Sequence, residues 1–503
     1  MIGNVIAIQA VEHEIDNSTD ALIFSSFFGG FGEDGVVDLE IDSENNIIFV
    51  GHTFSTTLPV KNNFQQYFGG SFDAYVVKLS SDGQSIIFAS YIGGSQGDAA
   101  VDVAIDNVGD IYVTGLTFSS NFPTKNAYKD SLTGSADGFI TKISSEGELI
   151  YSTFFGGDGG DFLYGLGFDL ENDFIFTGHT SSTNYPTTIS AFDTSFNGEE
   201  DCILSILNST GESLLYSSYF GGSLTDMGLC GFVDNELHEV IISGLTYSAD
   251  LITTVDAIQQ THGGGMDAFI SIFNLTDYSL NYSTYFGGND TDRSFNIQYD
   301  SNKSLIFSGD TSSSNLPTTV GVLQENYQGE SDGYITKLVP SRNSLSFCTY
   351  FGSDAYDFPN DFAIDVNDNI LLIGGTASTD FYITDNAYQS TLKGNIDTFL
   401  SIIDSDGKSI VYSTFLGGSN EDEGNMLVLD SLGDVVIAGI TKSSDFPVAN
   451  SLDQSYGGSQ DIFIGKFSSS IKTLALGPSP FEFLPLILFL LPPFIIRKRR
   501  DNQ

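Results

Sequence analysis

The chain has 503 residues, with 65 Asp and Glu against 18 Lys and Arg, and a formal charge of −47. A body this acidic repels phosphate backbones, which argues against nucleic acid as a partner and fits high-salt solvation or screening by divalent cations. The three cysteines Cys202, Cys230 and Cys348 form no CxxC pair, no HExxH motif occurs, and each cysteine sits in an apolar run that reads as small buried hydrophobe.

Taken in chain order, residues 1–20 are an N-terminal extension. Ile2 to Ala10 is apolar but brief, and no Lys or Arg precedes Lys61, so the charged start of an ordinary export signal is missing. From Ala21 onward one unit recurs seven times. Its landmark is an aromatic strand ending in glycines: SSFFGG at Ser25, ASYIGG at Ala89, STFFGG at Ser152, SSYFGG at Ser217, STYFGG at Ser283, CTYFGS at Cys348 and STFLGG at Ser413. The first glycines are spaced 64, 63, 65, 66, 65 and 65 residues apart, and so fixed a period means a repeat architecture.

The second unit serves as template. Asp98 to Asp106, Ile111 to Thr117, Asp137 to Ser144 and the landmark run from Leu149 are short, rich in Ile, Val, Tyr and Phe, and bounded by Asp, Asn and Gly, which predicts four strands, A to D. The A to B and C to D links carry hairpin chemistry, whereas B to C spans 19 residues here. Seven such units predict an all-β, seven-bladed β-propeller of four-stranded antiparallel blades over 21–470. The first strand met is a D strand, at Ala21 to Phe28, and the last is a C strand, at Asp461 to Phe467. Seven complete blades result only if the N-terminal strand completes the last one and closes the ring.

Three aspartate classes occur once per unit. Asp34, Asp98, Asp161, Asp226, Asp292, Asp357 and Asp422 lie in the D to A link and are the candidates for calcium, the one cofactor considered; Asp42, Asp106, Asp169, Asp234, Asp300, Asp365 and Asp430 end strand A. Asp73, Asp137, Asp201, Asp267, Asp332, Asp397 and Asp461 open strand C. A role needed in every blade is a scaffold role, in which each Asp accepts backbone N–H bonds and the hydroxyl of a GxT threonine such as Thr53 or Thr117. No cofactor or metal is therefore assigned. Catalysis needs a single copy of its groups, yet the unrepeated residues His52, His179, His262, Glu199, Glu200 and Arg293 assemble no nucleophile, base and orienter. The expectation is a binding or adhesion module and no enzyme. The competing reading, an extracellular hydrolase or lyase, demands two or three unrepeated carboxylates or histidines converging near the channel, and a calcium-stabilised envelope protein is the third reading.

After Phe467 the composition changes. A linker (471–480) leads to an apolar stretch (481–496) whose run from Phe483 to Ile496 is uncharged, and the tail 497–503 opens with RKRR. A proline-bearing membrane anchor fits, with the basic tail cytoplasmic and the propeller outside. Six N-x-S/T sequons, at Asn17, Asn208, Asn274, Asn281, Asn289 and Asn302, are compatible with export.

GxT at the end of strand B, the FPT that often follows, D-x-F/Y opening strand C and YST-aromatic-x-GG closing strand D together resemble the SBBP repeat family of bacterial and archaeal seven-bladed propellers, over about Ala21 to Phe467. The resemblance implies a surface-associated propeller with no common catalytic activity. The expected partners are the membrane, through the C-terminal segment, and a protein, glycan or cation on the face bearing the long inserts.

Overall fold

Blade 2 shows how the sequence makes one unit. Asp98–Ile105, Ile111–Thr117, Asp137–Ile143 and Leu149–Phe155 pair antiparallel in chain order. The A to B turn is an Asx turn, with Asp106 Oδ1 accepting from Val108 N at 3.0 Å and Asp110 N at 2.9 Å while Gly109 takes φ 88°. This is the hairpin device expected of the second aspartate class. Strands B and C are buried on both faces, whereas strand A is half-buried in its middle, because that side faces the axis of the ring.

The structure, a computed structural model, describes residues 21–471. Within them are 28 strands in seven four-stranded antiparallel sheets. In the seventh, Asp422–Leu429, Val435–Thr441 and Asp461–Phe467 are completed by Leu22–Phe28. Phe24 and Phe28 of that strand join the apolar cluster between blades 7 and 1, with Val36, Phe49 and Ile464, and Phe27 joins the cluster on the other face with Ile437 and Phe463. Ring closure by the N-terminal strand is thus as the strand count requires.

The landmark has a physical basis. Its first glycine is pressed between two carboxylates of adjacent blades: a Cβ on Gly29 would lie 2.7 Å from Asp34 Oδ2 and 3.0 Å from Asp461 Oδ1. The tyrosine of the landmark pins the start of the insert, since Tyr91 Oη donates to Ser55 O at 2.8 Å and accepts from Leu58 N at 3.0 Å. Tyr219 and Tyr350 do the same.

Up-and-down blades place the B to C inserts and D to A links on one face and the A to B and C to D turns on the other. The N-terminal extension, most of the linker and the anchor and tail assigned to 472–503 lie outside the described residues. Among the described residues no helix is long and apolar enough to cross a membrane.

Candidate functional site

The repeated aspartates form a network in each blade. Asp34 accepts from Thr53 Oγ1, from Ser55 Oγ at 2.8 Å and from Gly30 N at 2.8 Å. Asp98, Asp161, Asp226, Asp292, Asp357 and Asp422 repeat it with their own Thr, Ser and landmark amide. With three donors on two oxygens, each carboxylate faces the hydrogens of its neighbours, and among the described residues no three His, Cys, Asp or Glu group to hold a metal ion. The class opening strand C caps the end of its insert, as when Asp73 accepts from Gly69 N at 2.7 Å and Gly70 N at 3.1 Å.

The unrepeated chemistry lies inside the ring. In six of the A strands a β-bulge shifts the register, at Val36/Asp38, Ala100/Asp102, Gly165/Gly167, Gly228/Cys230, Pro359/Asp361 and Gly424/Met426, so that two successive side chains face the axis. They line a channel of about 1080 Å³ with Asp38, Glu40, Asp102, Asp361, Tyr164 and Cys230 among its walls, and no Lys, Arg or His. The carboxylates come from blades 1, 2 and 6, with Glu423 of blade 7.

Three of them tie neighbouring blades together. Asp38 Oδ2 accepts from Val103 N of blade 2 at 2.7 Å, and Asp361 Oδ2 accepts from Leu427 N of blade 7 at 2.8 Å. Asp102 accepts from the backbone of Gly165 in blade 3, where a Cβ would stand 2.5 Å from its Oδ1. Asn425 ties blade 7 to blade 1, donating Nδ2–H to Val36 O at 2.8 Å. Glu40 differs: it accepts one hydrogen bond, from Ile41 N at 3.3 Å, and bonds to no other blade.

With no cationic side chain to offset them, these groups have raised proton affinities. Burial pushes Asp38 up to about 6 against the N–H groups of Val103 and Leu39. Burial and then the charge of Asp38 push Glu40 up to about 8. Asp361 rises to about 7 through burial, and Asp102 rises through burial and then the charges of Asp38 and Glu40. Cys230, expected to be buried, instead borders the channel, and burial and then the carboxylates Asp361 and Asp102 keep its thiol protonated.

The channel opens on the insert-bearing face through a ring of cross-strand pairs that differ in every blade: Gly35 with His52, Ala99 with Leu116, Phe162 with His179, Met227 with Leu245, Arg293 with Asp310, Phe358 with Gly375 and Glu423 with Ile440. His52 packs edge-on to Phe54 and Phe72, whose rings are 5.3 Å apart, and Phe31 and Tyr67 stand exposed on the same face. His179 stacks on Phe162 at 4.5 Å, and burial lowers it to about 4. The two histidines thus belong to separate aromatic clusters. Arg293 pairs with Asp310, Glu200 bridges by its backbone to Thr225, and His262 is half-buried against Tyr285 rather than free in its loop.

Sequence reasoning looked for unrepeated groups in the inserts and missed those in strand A. The signal was present: Asp38, Asp102 and Asp361 stand in mid-strand, where Asp is disfavoured, at a position that carries Gly165, Cys230, Asn296 and Met426 in the other units.

A family model described as "SBBP: Beta-propeller repeat" matches residues 87–123, from strand D of blade 1 through strand B of blade 2. That stretch carries an SBBP repeat, in a chain folded as a seven-bladed propeller. The sequence repeat is offset from the blade, which is why the N-terminal strand belongs to the last sheet. No curated protein matches this chain. Among solved structures it is similar to a Kuenenia stuttgartiensis hydrazine synthase (8% identity, 86% of this chain and 96% of that chain, TM-score 0.44). It is also similar to the Neurospora crassa Pan2 WD40 domain (7% identity, 90% and 97%, TM-score 0.45) and to the polysaccharide lyase Uly1 (8% identity, 90% and 100%, TM-score 0.43). Likenesses this distant say nothing of what this propeller does.

Proposed function

We propose that this propeller is a cell-surface binding module, held at the membrane by its C-terminal segment, which takes a protein or neutral glycan of the cell envelope at the channel mouth on its insert-bearing face. One observation carries the reading. The hydrogen-bond networks are repeated in all seven blades, while the mouth ring differs in each and has exposed aromatic rings, Phe31, Phe54 and Tyr67, around it. Exposed rings beside carboxylates suit stacking against sugar faces or apolar side chains, and the acidic surroundings reject polyanions.

The test is calorimetric titration of the full chain with neutral, cationic and anionic envelope oligosaccharides and with envelope proteins, using wild type and the double variant Phe31→Ala/Phe54→Ala. Binding of a neutral ligand that weakens at least tenfold in the variant supports the reading; binding unchanged in the variant, or confined to anionic ligands, overturns it. Protease shaving of intact cells tests location, since a propeller protected until lysis is not at the surface.

A second reading rests on the channel. Asp38 and Glu40 alternate along one strand with proton affinities pushed to about 6 and about 8, the separation that lets one carboxyl act as acid while the other is ionised. A hydrolase or lyase acting there would take an uncharged or cationic substrate. Turnover of such substrates that survives Glu40→Gln would sink it.

A further inference from the structure

The face opposite the inserts carries an apolar ring that folding does not explain. Tips of A to B hairpins favour Asn, Asp, Gly and Ser. Here blades 2, 3, 6 and 7 place Val108, Leu170, Val366 and Leu432 at those tips, exposed by 71%, 69%, 97% and 74%, and blade 4 adds the partly exposed Leu237. Only blades 1 and 5 are polar there, with Ser43 and Glu44 and with Ser301 and Asn302.

Strand A is the innermost strand, so these tips encircle the far mouth of the channel. Adjacent turns are bonded to one another: Asn45 Nδ2 donates to Ser431 Oγ at 2.8 Å, Asn172 Nδ2 to Asp106 Oδ2 at 3.1 Å, and Ser301 Oγ to Asp368 Oδ2 at 2.6 Å. The surrounding C to D turns of the same face are polar, as at Asp82 and Gln84, Glu146 and Glu148, or Asp406 and Lys408. Five aliphatic side chains are therefore gathered in one fixed ring rather than scattered over the surface.

The chain leaves the propeller on this face. Ser468 N bonds Ala21 O at 2.8 Å, and Ser469 N bonds Asp434 Oδ1 at 2.7 Å, in the very turn whose tip is Leu432. Both ends of the described chain thus stand beside the ring, and the uncharged apolar run of Phe483 to Ile496 begins 12 residues after Ile471.

We infer that this ring is the membrane-contacting surface of the propeller: Val108, Leu170, Leu237, Val366 and Leu432 rest in the interfacial layer of a zwitterionic bilayer, with the insert-bearing face directed away from it. The inference rests on the anchoring reading above and adds an orientation to it. A ring of separated tips matches a flat apolar partner, which meets all of them at once, whereas one apolar segment laid across the mouth would meet two. The headgroup chemistry follows from charge. Lysines neutralise Asp42, Asp106, Asp300 and Asp430 beneath the tips, while Asp169, Glu171 and Asp173 of blade 3 have no lysine partner among the described residues and repel an anionic surface.

The experiment uses the full chain with phosphatidylcholine vesicles. An environment-sensitive fluorophore is attached at Val366→Cys, at Leu432→Cys and, as the control on the opposite face, at Tyr67→Cys, with labelled wild type as the blank for the native thiols. The expected result is co-flotation, with blue-shifted emission quenched by brominated lipid at 366 and 432 and a water-like, unquenched signal at 67. Co-flotation with water-like signals at all three positions overturns the contact face and leaves the anchor standing. A chain that does not float overturns both.

Discussion

Asp73 and Asp98 belong to adjacent blades and meet at Gly93, where a Cβ would lie 2.7 Å from Asp73 Cγ and 2.9 Å from Asp98 Oδ2. The repeated glycine is therefore a steric requirement set by two buried carboxylates. Gly93→Ala must displace one of them from its hydrogen bonds, and the expected loss is about 1–3 kcal/mol, as for other overpacked interiors. Gly160→Ala is the control, because its nearest neighbours would be 3.6 Å away and its backbone is ordinary. That substitution should be neutral or mildly stabilising. Denaturant midpoints of the two variants check the contrast.

The same junctions make stability depend on pH. Burial raises Asp73, Asp201, Asp292, Asp422 and Asp461 to about 6 and Asp332 to about 7, so the folded state binds more protons than the unfolded chain, whose carboxyls titrate near 4. The stability they contribute is complete below that unfolded value and is lost as pH rises through 6 to 7. Four aspartates that end strand A, Asp42, Asp106, Asp300 and Asp430, run the other way. At Asp42 and Asp106 burial acts to raise the carboxyl and is outweighed by amide side chains and by Lys78 or Lys142; at Asp300 and Asp430 the lysine bond alone leads against burial. Their contribution is present above about 4 and lost below it. The melting temperature should therefore climb as pH falls from about 8 to about 5 and drop under about 4. A melting temperature that rises steadily toward pH 8 contradicts this.

Glu40 isolates the channel's share. Unlike Asp38 and Asp361 it holds no neighbouring blade, so Glu40→Gln removes a buried charge and breaks no inter-blade bond. With its carboxyl raised to about 8, the substitution should stabilise by about 1–3 kcal/mol at pH 9 and change little at pH 5, where wild type is already protonated. Asp361→Ala, by contrast, strips the acceptor from Leu427 N and should destabilise at both values.

How far the sequence revealed all this depends on what each residue answers to. The propeller was legible because the aromatic strand, the GxT threonine and the Asp classes serve contacts that recur in every blade, so the period itself states the constraint. The pairing of Asp73 with Asp98 was not legible. It joins residues of different units through a third, and a repeat shows only that each is needed. Asp38 and Glu40 escaped for the opposite reason: strand A faces the channel, its side chains are free to vary, and a single carboxylate in a strand carries no period. The aliphatic turn tips were likewise hidden, since Val108 and Leu170 occupy different positions of their turns and become one ring only when the blades close.

Net charge sets a further expectation. With −47 on the chain and no cation in the channel, self-repulsion opposes the folded state, and the Debye length of about 10 Å at 0.1 M salt lets it act across neighbouring blades. Raising sodium chloride from tens of millimolar toward about 1 M should raise the melting temperature by several degrees. A fall over that range would show that the lysine pairs of the A to B turns outweigh the repulsion.

Ring closure gives the strongest stability prediction. Leu22–Phe28 is the only strand that blade 7 borrows from the other end of the chain, and Phe24 and Phe28 bury their rings between blades 7 and 1 while Phe27 faces the opposite cluster. Phe28→Ala empties a site against Phe49, whose ring is 5.1 Å away and perpendicular, and should cost about 3–5 kcal/mol. Phe27→Ala should cost a similar amount through Phe446 and Tyr456. Because the two rings point into different clusters, their losses should nearly add, which approaches the whole stability of a typical domain at about 5–15 kcal/mol. The double variant is therefore expected to open: hydrogen exchange should collapse first in Asp461–Phe467, the strand that loses its partner, and then in the first strand of blade 1. Loss of protection that begins in any other blade would show that the N-terminal strand is not what holds the ring shut.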